Sequence, residues 1–171
     1  MPQPPLEVVT GTNGSVAFLT RLSQASQPAT NALSDICMGG HFTADNAGAA
    51  NPGRALYRCL IPSEETYTRL EATPTGFLTP DDMSPGATNA EPVADNVVNF
   101  QVKVLGPDYA EIPDPATATN AAYVELSLAV IGSRNGRLYF AADTPDAVKA
   151  RLGEKDARPF VLRSKIEPQS P

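Results

Sequence analysis

The sequence predicts an α+β fold, a mainly antiparallel β-domain carrying two short helices. Three observations lead there. Apolar residues recur with period two over several stretches, the mark of half-buried strands. Seventeen prolines and 12 glycines supply 29 of the 171 residues, about 17% against about 12% in average usage, and proline interrupts helices and central strands alike. The clearest strands have one apolar and one mixed face, which suits an antiparallel sheet with a solvated side and not a buried parallel one. A chain of 171 residues fits a single domain, residues 1–171, large enough to form a core of its own. Residues 1–5 and 167–171 are expected to be flexible tails.

Taken in order, Leu6–Thr10 and Ser15–Leu22 both alternate and are joined by Gly11-Thr12-Asn13-Gly14. An Asn-Gly pair between alternating runs predicts a hairpin, because both central residues of that turn need positive φ. From Ser23 to Gly53 the pattern gives way to Ser, Asn, Ala, Gly and Pro. This stretch reads as long loop, with one turn of helix near Ala32 and a short strand over Ile36–Phe42. Ala55–Ile61 is a strand with Leu56, Arg58 and Leu60 on one face and Tyr57, Cys59 and Ile61 on the other. Ser63, between Pro62 and Glu64-Glu65, is expected to cap a short helix over Glu64–Glu71. Pro74, Pro80, Pro85 and Pro92 make Thr73–Pro92 an irregular excursion.

Val97–Val104 presents Val98, Phe100, Val102 and Val104 on one face and Asn99, Gln101 and Lys103 on the other. Tyr123–Ile131 does the same, with Val124, Leu126, Leu128 and Val130 opposite Tyr123, Glu125, Ser127 and Ala129. Gly132-Ser133-Arg134-Asn135-Gly136 reads as another Asn-Gly turn, leading into a strand over Arg137–Ala141. Thr144, before Pro145, is expected to cap a second short helix. Ala147, Val148 and Leu152 would face the core from it, and Gly153 would end it. Phe160–Ile166 is the last strand, giving seven or eight in all.

Composition excludes several classes of function. Thirteen basic residues against 19 acidic ones leave a net charge of -6, with only four lysines and no basic run. Such a chain is a poor binder of nucleic acid and of anionic membranes. No uncharged apolar run approaches the roughly 18 residues of a membrane span, and the polar, Pro-rich opening does not read as a signal peptide. His41 is the single histidine. A serine triad would have to be built on it, and no serine lies in a G-x-S-x-G turn. A zinc site would require His41, Cys37 and Cys59 to converge. Neither a P-loop nor G-x-G-x-x-G occurs.

Asp81 and Asp82, with Asp95 or Asp108, offer loop oxygens to calcium but lack EF-hand spacing, and they read as solvated carboxylates. Paired carboxylates for glycoside hydrolysis cannot be judged from spacing, but sugar sites favour aromatic platforms and this chain has no Trp. Asn13-Gly14-Ser15 matches a glycosylation sequon and reads as a turn. The sequence thus carries no catalytic constellation and implies no cofactor. For Cys37 and Cys59 two readings stay open. They form a disulfide closing a loop of about 22 residues, stabilising by about 3 kcal/mol on chain-entropy grounds, or they are two buried small hydrophobes.

Several short motifs resemble the soluble domains of prepilin-like proteins. Glu91-Pro92-Val93-Ala94-Asp95-Asn96-Val97-Val98-Asn99-Phe100-Gln101-Val102 is similar to their V-x-x-F-x-V strand. Ala122-Tyr123-Val124-Glu125-Leu126-Ser127-Leu128-Ala129-Val130, following Ile112-Pro113, resembles the V-E-V-T-L strand of J-type minor pseudopilins of type II secretion. Tyr57-Arg58-Cys59-Leu60-Ile61-Pro62-Ser63-Glu64-Glu65 is similar to the R-x-x-x-P-T/S-E-E stretch of Verru_Chthon cassette class C proteins, a pilin-like group. Leu6–Gly11 with Val16–Leu19 fits the first hairpin of these proteins, so the resemblance spans about residues 6–166.

It implies a pilin-like head with one sheet, lacking within residues 1–171 the N-terminal hydrophobic helix, with its cleaved leader and early glutamate, on which the family opens. It further implies a non-enzymatic structural subunit of a type II secretion or type IV pilus-like filament. Such a subunit faces the periplasm or the exterior and touches the membrane only through that helix. Its partners would be other pilin-like subunits or envelope proteins, met through loops and sheet edges. Ser23–Gly53 and Thr73–Pro92 are then the expected contact surfaces. The competing expectation is a secreted or cell-surface β-domain that binds a glycan or a protein, marked by two facing sheets. A hydrolase built on unrecognised carboxylates is the third.

Overall fold

The computed structural model describes residues 7–9, 15–28, 32–45, 53–72, 78–79, 81–113 and 121–166. The expected tails at 1–5 and 167–171, the turn at 11–14 and the sequon asparagine lie outside them, as do Pro74 and Pro80. In chain order the elements are β1 (Glu7–Val9), β2 (Ser15–Arg21), β3 (Ile36–Asp45), β4 (Arg54–Ile61), α1 (Ser63–Ala72), β5 (Ala90–Ala94) and β6 (Val97–Leu105). Then come β7 (Tyr123–Ile131), α2 (Ser133–Phe140), α3 (Asp146–Asp156) and β8 (Ala157–Lys165). The fold is α+β with two antiparallel sheets, one of five strands in the order β1-β2-β3-β4-β5 and one of three in the order β6-β7-β8.

The predicted hairpin is present as β1 paired with β2, with Val9 opposite Ser15. β3 is longer than the short strand expected and occupies the centre of the five-stranded sheet. Its two glycines explain both its poor strand signal and its position. A Cβ on Gly40 would lie 2.5 Å from a Leu78 methyl and 3.0 Å from the Val16 carbonyl oxygen, and one on Gly39 would meet the Phe18 ring at 3.1 Å. A single 3₁₀ turn forms over Gln24–Ser26, and residues 29–31, beside the helical turn expected near Ala32, lie outside the described residues.

β5 was unexpected. It contains Pro92, which an edge strand tolerates because a missing N–H there leaves no ladder bond unmade. It pairs with β4 through a register shift between Leu56 and Tyr57.

The sheet between α1 and the three-stranded layer has two distinct faces. On its outer face Ala17, Met38, Phe42, Ala55, Tyr57, Cys59 and Ile61 form one core with Leu78, against which Leu70 of α1 and Met83 pack. On its inner face Val16 and Leu56 meet Val97, Phe100, Val102 and Val124 of the second sheet. The alternation predicted for β4 therefore holds, and so does that for β7. In β6 it slips at one point. Val97 pairs with Val130 and Asn99 with Ala129, so Val98 is the extra residue of a bulge and Val97 takes the inward place assigned to Val98.

Three local expectations are corrected. Ser63 does not cap α1 with its side chain. The first helical bond runs from Thr66 N–H to the Pro62 carbonyl (2.9 Å), and the Ser63 hydroxyl instead accepts from Leu33 and Ser34 N–H at 3.0 and 3.2 Å. The Asn-Gly turn and the strand over Arg137–Ala141 are in fact helix α2. Gly136 N–H bonds the Gly132 carbonyl at 2.8 Å, and a Cβ on Gly136 would sit 2.5 Å from Asn96 Oδ1. Gly136 thus lets a helix approach Asn96, itself left-handed at φ 54°.

The third concerns α3. It begins at the Pro145 carbonyl without a Thr144 side-chain cap, and it runs through Gly153 to Asp156. None of its residues is buried, with Ala147 and Val148 exposed and Leu152 half-buried.

Phe100, 2% exposed at the centre of the inter-sheet core, carries the inward register of β6. Phe100→Ala is expected to lower unfolding free energy by about 3–5 kcal/mol in denaturant titrations. A loss below about 1 kcal/mol would mean that the inward face of β6 is misassigned.

Candidate interaction surface

The inner face of the five-stranded sheet is only partly covered. Beyond Val16 and Leu56 the same face continues through Phe18, Thr20, Leu22, Gly39, His41 and Leu60, and these line an open recess of about 170 Å³ with Arg58 at its side. A small-molecule site ordinarily encloses about 300–1,000 Å³, so this hollow suits a protruding side chain better than a free ligand. Burial lowers the His41 pKa, with the nearby Arg58 charge adding to it. His41 Nδ1 and Thr43 Oγ1 have no hydrogen-bond partner among the described residues. The recess thus combines an apolar floor and the His41 imidazole with the Arg58 guanidinium at its side.

The three-stranded sheet overhangs its support. Leu126 pairs with Leu162 and Leu128 with Phe160, so these four side chains share the inward, apolar face. Leu126 and Leu128 are half-buried at the margin of the inter-sheet core. Phe160, Val161 and Leu162 are 55%, 60% and 63% exposed. Every residue of β8 after Ala157 is exposed. Three consecutive large apolar residues left open on a sheet edge are unusual, because such an edge templates pairing with another chain.

Elsewhere the polar residues are committed to holding segments in place. Arg69 of α1 grips Asp82 with both terminal nitrogens (2.6 and 3.0 Å) and donates to Glu65 through Nε at 3.0 Å. Asp82 also accepts from the Thr79 N–H and hydroxyl at 2.8 and 2.7 Å. The Arg69 guanidinium, helped by the Thr79 donors, holds the Asp82 carboxyl down at about 2, and Arg69 itself is raised by its carboxylates. This clamp ties the excursion after α1 back onto the helix. Asp82, weighed above as a calcium ligand, spends its oxygens on that task. Asp81 is exposed beside it, while Asp95 and Asp108 lie in other turns. Among the described residues no group of three or more His, Cys, Asp or Glu converges.

The two cysteines are free and fully buried. Cys59 lies opposite Gly40 in the β3–β4 ladder, and Cys37 is three residues from Gly40, so the two thiols point to opposite faces of the sheet. A disulfide between Cys37 and Cys59 would require breaking that ladder. Burial raises both thiols, Cys59 to about 11 with Asp82 contributing, which leaves neither activated.

Of the two stretches expected to make contacts, most of the described residues of Ser23–Gly53 are in β3 or are tied to α1. Gln27 Nε2 donates to the Leu22 and Ser34 carbonyls (3.1 and 2.6 Å), and its Oε1 accepts from Ser63 N–H at 3.1 Å. The exposed apolar edge at β8 was missed. Its signal was present in the sequence: Phe160-Val161-Leu162 is flanked by Arg158, Pro159, Arg163 and Lys165, the charged and proline residues that guard an unpaired edge.

Comparison with family models, with curated proteins and with solved structures found no match to this chain.

Because Asp82 sits near 2 in the fold against an ordinary 3.8, its contribution is complete above about pH 4 and is lost as pH falls toward 2. Wild-type stability should exceed that of Asp82→Asn by on the order of 1–2 kcal/mol near neutrality. The gap should close between about pH 4 and pH 2 in urea titrations. A gap that does not change with pH would remove the ionic clamp from the account.

Proposed function

We propose that this chain is a non-enzymatic contact domain of the cell envelope, the head of a pilin-like subunit that works by binding neighbouring subunits of a secretion or pilus-like filament. The observation that carries this reading is that two apolar areas stand open among the described residues, the recess at Phe18 and Leu60 and the overhanging edge at Phe160 and Leu162. Surfaces of that kind mark protein contacts in soluble domains. The ordered use of Arg69, Asp82, Ser63 and Gln27 as structural ties is consistent with it, as are the short strand motifs that resemble pilin-like proteins.

A second reading has its own support. Two sheets face one another across the core of Val97, Phe100 and Val102, where a pilin-like head implies one. That arrangement favours a secreted or cell-surface β-domain that binds a glycan or a protein.

The gene separates the two. Sequencing in frame upstream of the Met1 codon should reveal a short basic leader followed by about 20 apolar residues with an early glutamate. An ordinary cleavable signal peptide, or translation starting at Met1, would sink the filament reading and leave the β-domain that binds a glycan or protein.

A further inference from the structure

β8 is an edge strand whose backbone is half spent. Ile166 N–H donates to the Ala122 carbonyl at 2.8 Å, and Ser164, Leu162, Phe160 and Arg158 pair in step with Val124, Leu126, Leu128 and Val130. Those alternate residues turn their N–H and C=O groups toward β7. Val161, Arg163 and Lys165 turn theirs outward, and so does Pro159, whose nitrogen has no hydrogen to offer there. No strand pairs with this outer side among the described residues.

Charge narrows what can join it. The strand carries Arg158, Arg163 and Lys165 and no acidic residue, in a chain of net charge -6. Arg163 is held by Glu125 at 2.6 Å and lies over the Tyr109 ring at 5.7 Å. Arg158 and Lys165 make no ion pair among the described residues. A second copy of this chain is a poor occupant. Pairing β8 with β8 would set six cations along one seam, between two bodies that repel each other as polyanions.

We infer that the outer edge of β8 receives an extended, acidic segment of a partner protein, added as a fourth strand to the sheet. Val161, Arg163 and Lys165 give it backbone donors, and alternate apolar residues of the segment rest beside Phe160 and Leu162. Glu or Asp on the segment's opposite face meets Lys165, which shares the other face of β8 with Val161 and Arg163. Pro159, offering no donor, ends the pairing at that side and fixes its register. The inference rests on the reading of this chain as a contact domain and names the chemistry of the contact.

The test is amide hydrogen exchange by NMR on the whole chain, with a soluble peptide alternating Glu and Val as the probe and a Lys-Val peptide as its control. The Glu-Val peptide should slow exchange at Val161, Arg163 and Lys165, and the Lys-Val peptide should not. Val161→Pro removes an outward donor without touching the β7 ladder, and it should weaken binding about tenfold, the worth of one net backbone hydrogen bond. Lys165→Glu, an exposed change, should weaken binding of the Glu-Val peptide and strengthen that of the Lys-Val peptide.

Protection confined to the recess at Phe18 and Leu60 would overturn the edge site while leaving the contact-domain reading standing. Protection of the same three amides without peptide, rising with protein concentration, would replace the acidic partner with a second copy. No protection by either peptide would overturn the proposal.

Discussion

The joint between the two sheets governs this molecule. Val97, Phe100 and Val102 seat β6 on the inner face of the five-stranded sheet, near Val16 and Leu56. Contact is made from the β6 side, so β7 lies at the margin and β8 beyond it. The same apolar alternation that buries Phe100 continues through Leu126 and Leu128 to Leu162 and Phe160, where nothing described lies beneath it. The uncovered surface is therefore the outer part of a core face and not a scatter of exposed hydrophobic residues. A five-stranded and a three-stranded layer joined along one side leave such an overhang by geometry.

The polar interior fixes the opposite, outer face of the five-stranded sheet. Gln27 and Ser63 bind the loop ahead of β3 to the start of α1. Thr66 accepts from Met38 N–H at 3.0 Å and donates to the Ile61 carbonyl at 3.2 Å. The Gln27, Ser63 and Thr66 side chains each have their partners, as burial of polar groups requires. Together with the Arg69–Asp82 clamp, these ties fix α1 and the following excursion over the outer face and seal the core that contains the Cys59 thiol. Cys37 and Cys59 behave as small apolar residues, separated by the sheet itself.

Most of this fold was legible in the sequence where one periodicity acted alone. β4 and β7 were readable because their two faces meet different environments, and β6 was readable except at Val98, where a bulge breaks the period without changing composition. The signal failed where tertiary contacts chose the conformation. Gly39 and Gly40 made β3 read as only a short strand within loop, yet close packing by Phe18 and Leu78 demands them in a long central strand. Asn135-Gly136 read as a hairpin turn, yet the approach of Asn96 puts that glycine in a helix. Ser63 read as a helix cap because the local pattern cannot show Leu33 and Ser34 arriving from about 30 residues upstream. The apolar edge was visible as residues but not as an edge, since strand order is not written in any one strand.

On the reading proposed above, the chemistry of this domain is contact. Arg69 and Asp82 are spent on fixing a segment, the thiols are raised by burial, and the open surface is apolar with cations at one strand. The account stands most directly on whether that surface is bare in the isolated chain and covered at its place of work. Hydroxyl-radical footprinting of the dilute purified chain and of the intact native envelope measures this at single residues. The account predicts strong labelling of Phe160, Val161 and Leu162 in the isolated chain and their protection in the envelope. Equal labelling of the three in both settings would contradict it.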